Sequence, residues 1–416
     1  MLRDVLLLQK REIEQRLQER YVEREFGPRK LAHDLIKVVI GPRRAGKSFF
    51  AMHLVQGLGP FGYVNFDDER LEALGDYDEL VAALDALYGK PKHLLLDEVQ
   101  NLPKWELFVN RLQRQGYRLT ITGSNAHLLS SELATHLTGR HIQIVLFPFS
   151  FPEYLRSQEP DLTGAETVEA LRRYAELGGY PEPLLKGINH REYLATLLRA
   201  TLYKDIVVRH RVRSPQGLED LVVYLMSNIA QEYSYNTLAQ VTRLRSVHTA
   251  EKYLRHLEEA FVFFSVRRFS FKVREQARTN RKLYCTDNGL VTATSFRFSS
   301  GLGRLYENLV AVALRKQELE GRLEFYFWRG PQHEEVDFVV KQGLRVTQLL
   351  QVCADVGDVR TRDREVRALL KASEAMKCKE LLVLTETAER EEDASWFGLR
   401  GRIRFVPLWK WLAGAR

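Results

Sequence analysis

The chain of 416 residues is long enough, at roughly 100 to 200 residues per domain, for two to four independent cores. Its 62 Lys and Arg against 54 Asp and Glu leave a net charge of +8, a balance that favours a polyanionic partner. The three cysteines Cys285, Cys353 and Cys378 are too widely spaced for a CxxC pair, which excludes a zinc knuckle and a disulfide framework and fits a reducing, cytoplasmic compartment.

Residues 1 to 26, rich in Leu, Glu, Gln and Arg and free of Gly and Pro, read as an exposed amphipathic helix ended by Gly27-Pro28. Within it "VLLL" is far shorter than a signal-peptide core, and no later run approaches membrane-spanning length, so a soluble protein with no membrane partner is expected. Short apolar runs then alternate with helical stretches: "LIKVVI" (35–40), "YVNF" (63–66), "HLLLDE" (93–98), "YRLTITG" (117–123) and "HIQIVLF" (141–147). Strands separated by helices predict a parallel sheet covered on both faces. From about 150 to 230 the pattern is helical, broken by "LGGYPEP" (177–183); from 232 to 270 a compact helical pair precedes the strand-like "FVFFSVRRFS" (261–270). The last hundred or so residues begin with a helix at 302–318 and continue through three strands, a helix at 360–377 and "ELLVLTET" (380–387). The expected division is an N-terminal helix (1–30), an α/β core (31–150), a helical segment (151–230), a helical pair with a wing (231–300) and a second α/β domain (301–416).

Gly41-Pro-Arg-Arg-Ala-Gly46-Lys47-Ser48 satisfies G-x-x-x-x-G-K-[ST] between a buried strand and a helix, the context a P-loop requires. Its glycines let the backbone curl so that N–H groups and a helix N-terminus face an anion. Lys47 then reaches the β- and γ-phosphates of ATP, and the Ser48 hydroxyl takes a place on Mg²⁺. About fifty residues on, Leu94-Leu95-Leu96-Asp97-Glu98 is an apolar strand ending in two carboxylates, the Walker B pattern: Asp97 for the Mg²⁺ shell, Glu98 to polarise the attacking water. The plainer alternative leaves both carboxylates as a strand end in solvent. A second carboxylate aimed at water favours hydrolysis over a pure switch. "TITGSNA" (120–126) sets Thr122, Ser124 and Asn125 at the end of the next strand, where a polar group can orient the lytic water. Arg140, at a helix end before the fifth strand, is placed to act as an arginine finger on a neighbour's γ-phosphate; otherwise it is a helix C-terminal cation.

Over 235–270, a helix at 236–242, a short turn, a helix at 247–260 and a two-stranded wing match a winged helix-turn-helix. His248, Lys252 and Arg255 fall on the stripe opposite the core spacing of Leu254, Leu257 and Phe261, with Arg243, Arg245, Arg267 and Arg268 at the flanks. That face is expected to lie along DNA phosphates; the alternative is a solvated face on a structural module.

With these residues in view, the chain resembles the AAA+ ATPases, specifically an archaeal and bacterial group with a C-terminal domain of unknown function and nuclease-like fold. The resemblance rests on "GPRRAGKS", "LLLDEVQNLPKWELFVNRL", "TGSNAHLLSSELATHLTGR", "FPFSFPEYL" and "GGYPEP", and extends into "YKDIVVRH", "RKLYCTDNGL" and "EEVDFVV". It implies a parallel sheet of order 5-1-4-3-2, a helical lid, ATP at a subunit interface and a homo-oligomeric ring, hexameric in expectation. It also maps a base-contacting G-x-P element onto Gly179, Tyr180 and Pro181; an ordinary Gly-Pro turn is the alternative. The α-β-β-β-α-β order of the last domain resembles restriction-endonuclease-like nucleases, and Glu307 and Asp337 sit where that superfamily keeps its carboxylates. Where E-x-K belongs, this chain has Gln351-Val352-Cys353. A neutral amide is a weak metal ligand and a thiol cannot replace an ammonium, so cleavage requires Lys341 or Lys371 to substitute. The reading is an ATPase acting on duplex or branched DNA. A slow nucleotide switch controlling a protein partner is the second reading, and an ATP-gated nuclease the third.

Overall fold

The computed structural model describes residues 2–26, 34–123, 137, 139–158, 162–244, 246–272, 274, 276, 279–294 and 301–414. They form two units, Met1–Pro148 with Glu259–Phe261, and Phe149–Glu258 with Val262–Arg416.

The first unit is built on five short strands: β1 (Ile36–Ile40), β2 (Phe61–Asn65), β3 (His93–Asp97), β4 (Arg118–Gly123) and β5 (His141–Val145). They pair in parallel in the order β2-β3-β4-β1-β5, the order the resemblance implied. The strands are near-continuous apolar runs because both faces are covered. Val38, Leu94, Leu96 and Ile121 enter one core with Leu80 and Leu84 of α3 (Tyr77–Tyr88) and Phe108 and Leu112 of α4 (Trp105–Arg114). Val39, Tyr63, Leu95 and Ile144 enter the other, against Phe50, Ala51, Met52 and Val55 of α2 (Lys47–Gln56).

The N-terminal helix departs from expectation in two ways. α1 (Leu2–Arg16) stops ten residues before the predicted end, and it is packed rather than exposed: Val5 and Leu6 are buried in the first core. Gln9 is buried with them, its amide donating to the Asn65 carbonyl at 3.1 Å and to Asp68 Oδ2 at 3.0 Å and accepting from the Asn65 N–H at 3.0 Å. Beyond Arg16 the chain runs irregularly along α2, where Tyr21 stacks on His53 with centroids 4.0 Å apart and Phe26 meets Phe50 edge-on at 5.5 Å. These tertiary contacts need a more open chain than a helix and override local helix propensity.

In the second unit, α5 (Phe151–Ser157), α6 (Gly164–Leu177), α7 (Pro181–Lys186) and α8 (His190–Ala200) lead through a π-helical turn (Thr201–Val208) to α9 (Pro215–Ser227). β6 (Gln231–Tyr233), α10 (Tyr235–Val241), α11 (Val247–Glu259), β7 (Phe263–Arg267) and β8 (Arg281–Cys285) follow. These three strands form an antiparallel sheet in the order β6-β8-β7, so the expected wing pair gains a third strand. After α12 (Asn288–Thr294) comes α13 (Leu302–Leu319), then β9 (Glu324–Arg329), β10 (Glu335–Gln342), β11 (Arg345–Val352), α14 (Val359–Met376), β12 (Leu381–Thr385), β13 (Arg390–Trp396), β14 (Leu399–Pro407) and α15 (Leu408–Leu412). The six strands form a mixed sheet in the order β13-β14-β12-β11-β10-β9. Its face packs Val336, Val339, Leu349 and Phe405 against Ala368, Leu369 and Ala372 of α14.

A buried polar hub ties the turn after β8 to α13. Asn308, fully buried, accepts from the Cys285 N–H at 2.8 Å and donates to the Cys285 carbonyl and to Asn288 Oδ1, both at 2.8 Å. Each group it satisfies would be orphaned without it, at about 1–3 kcal/mol apiece. Asn308→Ala is therefore expected to lower stability by roughly 2–4 kcal/mol, seen as an earlier urea transition; an unmoved transition would remove the hub from the account.

Candidate functional site

The P-loop lies where β1 ends and α2 begins, at the C-terminal edge of the sheet. Gly41, at φ 149°, is held so close to the end of β5 that a Cβ would stand 2.0 Å from the Leu146 carbonyl oxygen, so no side chain fits there. Gly46, at φ 88°, turns the chain into α2. The buried Lys47 ammonium donates to the Pro42 carbonyl at 2.8 Å, within the loop's own curl.

Asp97, at the end of β3, is 3% exposed and is the point on which side chains from β2, β4 and the start of α2 converge. Its Oδ1 accepts from Ser48 Oγ at 2.8 Å and from Thr122 Oγ1 of β4, and its Oδ2 from the Tyr63 hydroxyl of β2 at 3.2 Å. Burial pushes the Asp97 carboxyl up, opposed by the hydrogen bonds from Thr122, Ser48 and Tyr63. Ser48 Oγ and Asp97 Oδ1 are the hydroxyl and carboxylate oxygens a magnesium ion takes in a P-loop site, and their adjacency fits that ion. Thr122 Oγ1 also accepts from the Glu98 N–H at 3.0 Å, fixing the backbone that carries the second carboxylate. Glu98 itself sits at φ 49°, and its carboxylate accepts from the Gln100 amide. Thr122 thus braces both acidic residues rather than facing water. Ser124 and Asn125 lie outside the described residues.

Residues 33–155 match the family described as "AAA domain", and residues 168–300 and 302–411 match two domains of unknown function, DUF8612 and DUF4143. An uncharacterized protein of Methanocaldococcus jannaschii is 31% identical over 402 residues, which cover 92% of this chain and 89% of that protein. The chain belongs to the AAA P-loop ATPases. An uncharacterized protein of Haemophilus influenzae is 28% identical over 328 residues, 74% of this chain and 80% of its own. Among solved structures, the Walker-type ATPase paby2304 of Pyrococcus abyssi is similar with a TM-score of 0.44 and 16% identity, over 67% of this chain and 97% of that one.

In this AAA ATPase, Arg140 is exposed and lies immediately before β5. β5 reaches the P-loop at its other end, where the Leu146 N–H donates to the Ile40 carbonyl at 2.7 Å. At about 3.3 Å per residue, Arg140 therefore stands roughly 16 Å from the loop's edge of its own sheet. Gly179 and Pro181 belong to the second unit, and the hydrogen bonds of Gly179 are internal to it: its N–H donates to Asp287 Oδ2 at 2.7 Å and its carbonyl accepts from the Phe149 N–H at 2.7 Å. Burial pushes the Asp287 carboxyl up to about 7.

Of the expected DNA-facing residues, Arg243, His248, Lys252, Arg255 and Arg267 are exposed, and Arg245 lies outside the described residues. On α11 the exposed stripe is opposite Ala250, Tyr253, Leu254 and Leu257, all buried. Arg268 does not join them: its guanidinium donates to the Arg329 carbonyl of β9 at 2.6 Å, because the chain after β7 runs beside β9.

The nuclease-like residues Glu307, Asp337 and Gln351 do converge, on a cavity of about 610 Å³ also lined by Glu335, Arg364 and Arg367. Of the substitutes expected for the missing E-x-K lysine, Lys341 is engaged away from the cavity with Glu324 at 2.9 Å, while Lys371 pairs at 2.5 Å with Glu334, a residue of the cavity's lining. The lysine at the cluster is Lys282 of β8. Burial works against its charge, but Glu307, Tyr284, Asp337 and Glu335 outweigh it and hold the ammonium well above the usual lysine range. Burial also pushes the Cys353 thiol up to about 11, leaving it neutral at ordinary pH. Among the described residues no helix is long and apolar enough to cross a membrane.

Arg24 is the site residue that sequence reasoning missed. Buried, it donates through Nη1 to the Ala45 carbonyl of the P-loop at 3.0 Å and through Nη2 to the Phe147 carbonyl at 2.5 Å. It pins the loop to the chain leaving β5 and so holds the loop's backbone curl in place. Charge-assisted bonds of this kind contribute about 1.5–3 kcal/mol each. Arg24→Ala is expected to weaken ATP binding at least roughly tenfold, with partial recovery in Arg24→Lys; a fluorescent-nucleotide titration giving equal affinities would contradict the role.

Proposed function

We propose that this AAA protein is a Mg²⁺-dependent, DNA-associated ATPase of the cytoplasm that works as a homo-oligomeric ring. The observation that carries the DNA assignment is the exposed stripe of His248, Lys252 and Arg255 on α11, the second helix of the pair read as a winged helix, flanked by exposed Arg243 and Arg267. Such a stripe suits phosphates of a duplex, where each contact releases counterions and affinity falls steeply with salt. The net charge of +8 supports the same partner.

At the nucleotide site, Lys47 neutralises the β- and γ-phosphates and Glu98 takes a proton from the attacking water. Bound magnesium supplies further neutralisation of phosphate charge. Arg140, at the opposite sheet edge from its own P-loop, suits action on a neighbouring subunit's γ-phosphate, and this supports the ring.

Two experiments test this reading. Steady-state ATP turnover is expected to rise several-fold with duplex or four-way DNA at low salt, and Lys252→Glu with Arg255→Glu is expected to erase that rise while basal turnover persists. Turnover indifferent to every DNA would favour the slow switch acting on a protein partner. Arg140→Ala is expected to lower turnover on the order of 10³-fold, and mixing it with inactive Lys47→Ala is expected to restore part of it. Mixtures that stay inactive would contradict a finger supplied in trans.

A further inference from the structure

The C-terminal carboxylate cavity has the outline of a divalent-metal site, yet its centre is filled. Lys282 Nζ stands 2.5 Å from Glu335 Oε1, 3.1 Å from Glu307 Oε1 and 3.6 Å from Asp337 Oδ1, and its side chain is only 3% exposed. Strand geometry delivers it there: side chains two apart on β8 share a face. Lys282 and Tyr284 therefore address the same carboxylate, and the Tyr284 hydroxyl donates to Glu307 Oε1 at 2.7 Å.

The remaining donors are committed in the same direction. Asp337 Oδ2 accepts from the Val352 N–H at 2.9 Å. Gln351 accepts from the Asp337 N–H at 3.2 Å and spends its amide N–H on Glu365. A magnesium ion needs near-octahedral oxygen coordination at about 2.0–2.1 Å. Here an ammonium already occupies the space among the three carboxylates, a neutral amide stands in the fourth place, and several lone pairs are used. With the ammonium in place, the donor set does not fit a divalent ion.

We propose that Lys282 is the resident cation of this cavity and excludes divalent metal from it. The lysine takes the electrostatic place of the ion and closes the cavity to metal-dependent phosphodiester chemistry. It also fastens the β6-β8-β7 sheet to the C-terminal sheet. Beside it, the Phe269 N–H donates to the Phe327 carbonyl at 2.7 Å and Arg268 holds the Arg329 carbonyl, so withdrawing Lys282 would require parting these contacts too.

The test is a manganese titration of the nucleotide-free full chain, followed by electron paramagnetic resonance of the free ion. Wild-type protein is expected to show no bound manganese that Asp337→Asn removes. Lys282→Ala is expected to gain one manganese per chain, at least tenfold tighter than anything wild type holds, and to lose it again in Lys282→Ala with Asp337→Asn. A wild-type manganese site abolished by Asp337→Asn would overturn the proposal, as would a folded Lys282→Ala that binds no more metal than wild type. If Lys282→Ala does not fold, the comparison of wild type with Asp337→Asn decides the matter.

Discussion

The nucleotide site depends on one buried carboxylate. Asp97 gathers a hydroxyl from the P-loop, one from β4 and one from β2, so the ends of adjacent strands are set in register by a single side chain. Such a group is costly to bury unless its oxygens are satisfied, and here three donors satisfy it. The same network extends one residue on, where Thr122 holds the Glu98 backbone and Gln100 its carboxylate. Both acidic residues at the end of β3 are thereby held in place by side chains of β2, β4, α2 and the turn that follows.

Much of this was legible in sequence because the motifs are local. A P-loop is eight residues whose glycines and lysine act within one turn of chain, and β3 announces itself as three leucines before two acids. The sheet order followed from resemblance, and the alternation of apolar runs with helical stretches required a parallel sheet. What sequence could not show are contacts that folding alone brings together. Arg24 lies in a polar stretch that reads as helix, and nothing in "YVEREF" marks the residue that reaches Ala45 and Phe147. Lys282 is one of many basic residues in "RRFSFKVREQARTNRK", and only the pairing of β8 turns it and Tyr284 toward Glu307. The departure at Gln351 was visible; that its amide is divided between Asp337 and Glu365 was not. β13 was not legible because "REEDASW" is charged and half-exposed, with no apolar alternation to signal a strand, whereas β14 carries that alternation in Leu399, Ile403 and Phe405 against Arg400, Arg402 and Arg404.

The second unit repeats, with different chemistry, the same reliance on buried polar centres. Asn308 joins the turn after β8 to α13, Asp287 accepts from the N–H groups of Gly179 and Gly289, and Lys282 balances the carboxylates of the last domain. Three centres within one short stretch, 282–308, bind the small antiparallel sheet, the helices before it and the mixed sheet after it. Directional bonds of this kind leave little freedom to reorient one module without disturbing the others, since each broken contact exposes an unsatisfied group.

The most direct test of the account is paired measurement of ATP affinity and single-turnover hydrolysis in Glu98→Gln. The amide keeps the shape of the side chain and removes its ability to take a proton. The account predicts affinity within a few-fold of wild type and hydrolysis slower by roughly 10²–10⁴-fold. Hydrolysis at the wild-type rate would contradict it, because another group would then activate the water and the second carboxylate of β3 would be only the end of a strand.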